Sequence, residues 1–164
     1  MVSESPPNVA IEAADRDDIA ILVDLWIDLA ADQRSYGSHL VPTENRSAIH
    51  EAMSQHVVTD SVLVARRNGD VVGFVTFDVE SGRYRQDVSR GVVHNIYVRD
   101  DDRNEGIGYA LLTAAEAELE TRGVDIVSLQ AMASNDRARR FYREHGYTPH
   151  RIELEKPING DTEE

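Results

Sequence analysis

The residues with the clearest capacity for chemistry are a glycine pair and the arginine before it, Arg103-Asn104-Glu105-Gly106-Ile107-Gly108. An apolar helical pattern follows, with Ile107, Leu111, Ala115 and Leu119 spaced by four. The first turn of a helix exposes backbone N–H groups that lack intrahelical acceptors, and the helix dipole adds partial positive charge there. Glycines let a bulky anion approach that backbone, and Arg103 can add a charge-assisted contact, so the turn suits a pyrophosphate. A dinucleotide fingerprint is not matched, because Leu111 stands where a third glycine belongs and the strand before the turn is not the first. A phosphate loop of the Gly-Lys-Ser/Thr kind is absent. Taken alone, the glycines equally fit a helix start packed closely against its neighbours.

Asn135 and Tyr142 form a second candidate pair. They lie seven residues apart in a helical stretch, nearly two turns, and so share a face that can point at one ligand. Tyr142 also fits a core tyrosine with its hydroxyl tied to backbone, and Asn135 also fits a helix N-cap. His94, in the strand pattern at 91–99, titrates near neutral pH and is a candidate base; its parity along the strand matches Ile96 and Val98. Glu80, Tyr97 and a water chain are rival routes for a proton. His50 and His56 show no ligand spacing, so no metal site is expected.

These residues need a frame. A strand at 9–14 precedes a helix with Ile19, Leu22, Trp26 and Leu29 on one stripe, with Asp15 or Asp17 as its cap. A loop at 36–42 leads to a second helix ending near His56, capped by Thr43, with Ile49, Met53 and Val57 in line. Two apolar runs then flank Asn68-Gly69, a strong hairpin signal, and Gly73 inside the second run signals a bulge or a close backbone approach. A strand at 91–99, a helix at 106–122, a strand at 124–131, a helix ending at Gly146 and a last strand region at 147–158 complete the order. This predicts one mixed α/β domain over residues 8–158 with flexible tails at 1–7 and 159–164. Its sheet is antiparallel in the first half and parallel where a helix joins the strands at 92–99 and 124–131.

Composition narrows the function classes. A length of 164 residues suits one domain, and the absence of cysteine removes disulfides, thiolate metal sites and a cysteine nucleophile. The formal net charge of −13 disfavours nucleic acid as a partner. Lys156 is the lone lysine and the other basic residues are arginine, a balance that resembles proteins of salt-loving cells. The chain start lacks a signal-peptide pattern, and no apolar run approaches the roughly 20 residues of a membrane span, so a cytoplasmic protein is expected.

Two motifs in order carry a resemblance. Arg103-x-x-Gly106-x-Gly108 resembles the acetyl-CoA motif of the GCN5-related N-acetyltransferase (GNAT) family, Gln/Arg-x-x-Gly-x-Gly/Ala. Asn95-Ile96-Tyr97-Val98 is similar to that family's central strand. Asn135, Ala138, Phe141, Tyr142 and Gly146 match the second motif, Asn-x-x-Ala-x-x-Phe/Leu-Tyr-x-x-x-Gly-Phe, with Tyr147 in place of its final phenylalanine. The resemblance covers the chain from about residue 61; residues 1–60 match in layout only. It implies a GNAT-like α/β (α+β) fold, a central mixed, mostly antiparallel sheet of six to seven strands flanked by about four helices. It implies an acetyl-CoA-dependent N-acetyltransferase acting on a primary amine of a small molecule or a protein. The alternative is a non-catalytic acyl-CoA-binding or regulatory domain on the same fold. The implied coenzyme contacts are the backbone of Asn104, Glu105, Gly106, Ile107, Gly108 and Tyr109, with Arg103 beside it. Strand residues Ile96, Tyr97 and Val98 would lie along the pantetheine arm, with Asn135 and Tyr142 facing the coenzyme. Tyr142 would be the proton donor to the leaving thiolate. His94 occupies the slot of the glutamate base of many relatives. Tyr36, His39 and Trp26 are candidates for the acceptor rim, Trp26 more readily as core. Relatives are often dimers, so a homodimer is a further implication.

Overall fold

The computed structural model describes residues 6 and 8–159; the remainder of the expected tails at 1–7 and 159–164 lies outside the described residues. Strand β1 (Val9–Ala13) leads into a short 3-10 turn, Arg16–Asp18. Asp15 caps this turn: its side chain accepts the Asp17 N–H at 2.9 Å, while Asp18 accepts the Asp15 N–H at 2.8 Å. Helix α1 (Ile19–Arg34) follows and buries Leu22, Leu25, Trp26 and Ala30. Helix α2 (Arg46–Val58) begins after a 3-10 turn at Thr43–Asn45. Thr43 therefore opens the turn and does not cap α2, which has no side-chain cap.

β2 (Val62–Arg67) and β3 (Asp70–Val79) form the expected hairpin, with Asn68 and Gly69 at φ 52° and 88°, as a tight two-residue turn requires. β4 (Arg90–Val98), α3 (Ile107–Thr121) and β5 (Ile126–Leu129) form a crossover unit, and α4 (Asp136–Glu144) follows. The sheet order is β1-β2-β3-β4-β5, antiparallel throughout except for the parallel β4–β5 pair.

Two irregularities shape this sheet. Ala65 pairs with Gly73 and Arg66 with Val71, which leaves Val72 as an extra residue on β3. At Gly73 a Cβ atom would lie 2.8 Å from the Tyr97 carbonyl oxygen, so this position requires glycine for the close approach of β3 to β4. Thr76 pairs with Asn95 and Phe77 with Val93, which leaves His94 as an extra residue on β4.

Each face of the sheet carries a core. Leu22, Leu25 and Trp26 of α1 and Met53 of α2 pack on Val62, Val64, Phe74 and Tyr97. On the other face Ile107, Leu111, Leu112, Ala115 and Leu119 of α3 pack on Val75, Phe77 and Val93. Phe141 and Tyr142 of α4 join this second core while only partly buried.

The sheet has five strands where six to seven were expected. The missing strand is the last one: residues 148–159 form no sheet pairing. Its alternation of apolar and charged residues is that of a strand, yet an extended segment becomes a strand only beside a partner that takes its backbone hydrogen bonds. Pro6 is buried, and its carbonyl accepts the Val9 N–H at 3.2 Å.

An ion pair fastens β2 to the start of α1. Arg66 donates to both carboxylate oxygens of Asp18, at 2.9 and 2.5 Å, and also to Glu12. Burial alone would raise the Asp18 carboxyl, but the hydrogen bonds and charge of Arg66 outweigh it and hold Asp18 below its ordinary 3.8. A carboxylate with a depressed folded pKa contributes stability that is complete above 3.8 and is lost as pH falls through the folded value. Asp18→Asn leaves Arg66 without its main partner and should cost on the order of 3 kcal/mol in urea unfolding at pH 7. The deficit should narrow as the pH drops below 3.8, and an undiminished deficit in acid would contradict the assignment.

Candidate active site

A cleft of about 670 Å³ opens where the end of β4, the start of α3, α4 and the last turns of α1 converge. Ile96, Tyr97 and Val98 enter it from β4. Arg103, Asn104, Gly106, Ile107, Gly108 and Tyr109 enter it from the turn and the first turn of α3. Asn135 and Tyr142 enter it from α4. The two motifs, about 30 residues apart in the chain, thus line one hollow.

The glycine turn is built as an anion site needs. Asn104 and Gly106 adopt left-handed backbone, φ 65° and 86°, and Gly106 is the N-cap of α3 with no side chain over the helix end. The first intrahelical bond is Ala110 N–H to the Gly106 carbonyl, at 3.1 Å, so the N–H groups of Ile107, Gly108 and Tyr109 have no partner within the helix. A Cβ on Gly108 would meet the Phe141 ring at 3.5 Å, and any larger side chain would fill the gap between α3 and α4.

Arg103 is already engaged by the protein. It donates through Nε to the Val98 carbonyl at 2.8 Å, pairs with Asp100 at 2.7 Å and Asp32 at 3.3 Å, and lies 5.2 Å above the Tyr97 ring. The guanidinium thereby ties the end of β4 to the turn and to α1. The Glu105 side chain does not line the cleft; it pairs with Arg67 of the β2–β3 hairpin at 3.1 Å.

Tyr142 fits a proton donor better than a tied core tyrosine. Its hydroxyl has no hydrogen-bond partner among the described residues, and burial pushes its pKa up to about 12, so it stays protonated at neutral pH. The hydroxyl that is tied belongs to Tyr147, which donates to Glu116 at 2.6 Å; burial and that carboxylate hold it far above the ordinary tyrosine range. Asn135 caps α4, its side-chain oxygen accepting the Ala138 N–H at 3.1 Å, while it also lines the cleft.

His94 does not line the cleft. The extra residue in β4 breaks the parity with Ile96 and Val98: those two pack on the α3 side, whereas His94 faces α2. There its Nε2 lies 3.4 Å from Asp78, and its ring is 6.1 Å from that of His56. His56 is held below the ordinary histidine range, chiefly by burial, and its Nδ1 is 2.7 Å from the Ser61 hydroxyl. Glu80 lies at the far end of β3, against Gln86 and Arg90. Tyr97 does line the cleft, and burial followed by the Asp32 charge raises its pKa while Arg103 opposes them.

Of the rim candidates, Tyr36 reaches the cleft, Trp26 is core, and His39 is exposed and pairs with Glu155 at 2.9 Å. Sequence reasoning missed Asp32 and Gln33 of α1, Met132 after β5, and Arg137 and Arg140 of α4, all of which line the cleft. The two arginines were legible: they are three apart and share the helix face of Asn135 and Tyr142. Asp32 gave no signal, since a carboxylate on a helix of an acidic chain reads as solvated surface. A smaller hollow of about 400 Å³ adjoins the cleft at Tyr97 and is walled by Asp28, Asp32 and Asp100. Among the described residues no helix is long and apolar enough to cross a membrane, and no cluster of metal-ligating side chains forms.

The comparisons with known proteins agree with this geometry. Residues 26–147 match the model of the acetyltransferase (GNAT) family. An uncharacterized N-acetyltransferase of Archaeoglobus fulgidus is 28% identical over 132 residues, 80% of this chain and 88% of that protein. A GCN5-related N-acetyltransferase from Ralstonia eutropha superposes with a TM-score of 0.73 at 24% identity, covering 93% of this chain and 99% of that one. A predicted acetyltransferase from Clostridium acetobutylicum, solved with acetyl-CoA, superposes with a TM-score of 0.71 at 18% identity, covering 91% and 96%. At such identities the two structures show a shared fold, whereas the family match spans most of the chain and includes both motifs. The chain belongs to the GNAT family of acetyltransferases and is an acyltransferase.

Proposed function

We propose that the protein transfers an acetyl group from acetyl-CoA to a primary amine of a small molecule or a protein, as a cytoplasmic homodimer. The observation that carries this reading is the joint opening, into one cleft, of the uncapped start of α3 and the unpartnered hydroxyl of Tyr142. The free N–H groups at 107–109 and the cleared surface at Gly106 and Gly108 fit a pyrophosphate. The backbone of Ile96 to Val98 offers donors and acceptors along the same cleft for the arm of the coenzyme. Bound acetyl-CoA, which the Clostridium acetobutylicum relative carries, supplies a thioester whose carbonyl carbon an amine attacks.

The residues of this chain then have distinct tasks. Tyr142, protonated at neutral pH, gives its proton to the departing thiolate and regains one from solvent. A backbone N–H of β4 stabilises the oxyanion. The amine must shed a proton before or during attack. We assign that task to His94 acting through water, because it sits at the bulge of β4 outside direct reach of the cleft. The acid-walled hollow beside Tyr97 favours an acceptor that arrives with positive charge.

Thiol release from acetyl-CoA over a panel of amines and peptides, at high salt to suit the acidic surface, tests the reading. Turnover with at least one amine is expected; binding of acetyl-CoA without turnover on any acceptor would instead favour a binding or regulatory domain. Tyr142→Phe should lower kcat by about 100-fold with little change in coenzyme affinity, and an unchanged kcat removes the proton-donor role. Gly106→Trp should abolish acetyl-CoA binding by calorimetry, because the indole would cover the start of α3; normal affinity would refute the pyrophosphate site. His94→Asn should remove a limb from the kcat/KM profile near neutral pH, and a superimposable profile would rule His94 out as the base.

A further inference from the structure

The segment after α4 has the pattern of a strand and the exposure of none. Ile152, Leu154 and Ile158 are 79%, 88% and 90% exposed, and Arg151, Glu153 and Glu155 alternate with the first two. Residues 148–159 make no backbone hydrogen bond among the described residues. Their one ion pair, Glu155 with His39, is exposed on both sides and contributes little. An extended, amphipathic arm with bare apolar side chains is costly in water, and strand pairing is the usual remedy.

The same chain presents an edge that lacks a strand. β5 is bonded to β4 along one side and to nothing along the other. Ile126 on this strand is 46% exposed, and Val127, Leu129, Phe141, Tyr142 and Tyr147 around it are only partly buried. The core on the α3 side is thus left incomplete where β5 and α4 meet.

We infer that residues 148–158 of one copy pair with the free edge of β5 in a second copy, and reciprocally. Two observations select a second copy over a foreign strand. One chain carries both halves of the contact, so a two-fold arrangement satisfies both arms and both edges at once and closes on itself. A foreign strand would cover β5 and leave Ile152, Leu154 and Ile158 in water. The charges also match. α4, beside β5, carries four arginines (Arg137, Arg139, Arg140, Arg143) and two acidic residues in a chain of net charge −13. The stretch from Ile152 to Glu164 carries five acidic residues and one lysine. An arm of twelve residues spans about 40 Å when extended, enough to cross to a neighbour. The exchanged strand would also finish the wall behind Tyr142, so each cleft would be completed by the partner's arm.

This pairing gives the homodimer reading a specific surface, and its test reads nothing of acetyl transfer, so its failure leaves that activity standing. Sedimentation equilibrium should give a dimer mass for the native chain. Ile152→Asp with Leu154→Asp should weaken dimerisation by about 100-fold or more with an unchanged circular-dichroism spectrum, since both side chains are exposed in the single copy. The absence of native cysteine permits a second measurement. Ile126→Cys and Leu154→Cys are prepared as separate chains, mixed after joint unfolding and refolding, and treated with a short bis-maleimide. A mixed cross-linked pair is expected. A monomeric native chain, a dimer that survives the double aspartate variant, or linkage found only within one chain carrying both cysteines would each overturn the exchange.

Discussion

Everything at the cleft depends on how α3 begins. Its first N–H groups are left without partners because Gly106, in left-handed backbone, brings no side chain to cap them. Had a serine or aspartate stood there, its oxygen would have occupied a donor that an anion needs. The start of α3 is also held in place from outside the helix. Arg103 grips the Val98 carbonyl, Asp100 and Asp32 together, so the end of β4, the turn and α1 move as one piece. Arg103 belongs to the binding motif, yet its contacts within the chain are those of a brace.

The sheet provides the second constraint. One extra residue in β4 puts His94 on the α2 face while Ile96 and Val98 stay on the α3 face. The strand thereby separates two tasks: its end faces the cleft, and its middle meets the His56–Asp78 neighbourhood. Gly73 permits this strand to press against β3 by removing the one atom that would collide with the Tyr97 carbonyl. Tyr142 then reaches the cleft from a helix that is only half packed on the sheet, and its burial keeps the phenol neutral.

The fold is least complete at its C-terminal edge. Four of the five strands have a neighbour on each side or, for β1, lie far from the cleft; β5 has a bare edge next to the helix that carries Asn135 and Tyr142. The incomplete edge and the proposed chemistry share α4, so any strand that covers β5 also stiffens the wall behind the proton donor.

Local signals in the sequence determined a good part of this. Asn68-Gly69 specified the hairpin, and the four-residue spacing after Gly106 specified α3. The seven-residue spacing of Asn135 and Tyr142 put both on one helix face. Each of these rests on contacts between residues close in the chain, where backbone geometry and side-chain period suffice. The tertiary structure alone decided what depends on distant partners. A bulge is a mismatch between two strands, so the parity of His94 could not be read from β4 by itself. Arg103 became a brace because Asp32, 71 residues away in the chain, came within reach. Residues 148–159 have the alternation of a strand, but pairing needs a second backbone, and within one copy no strand lies beside them.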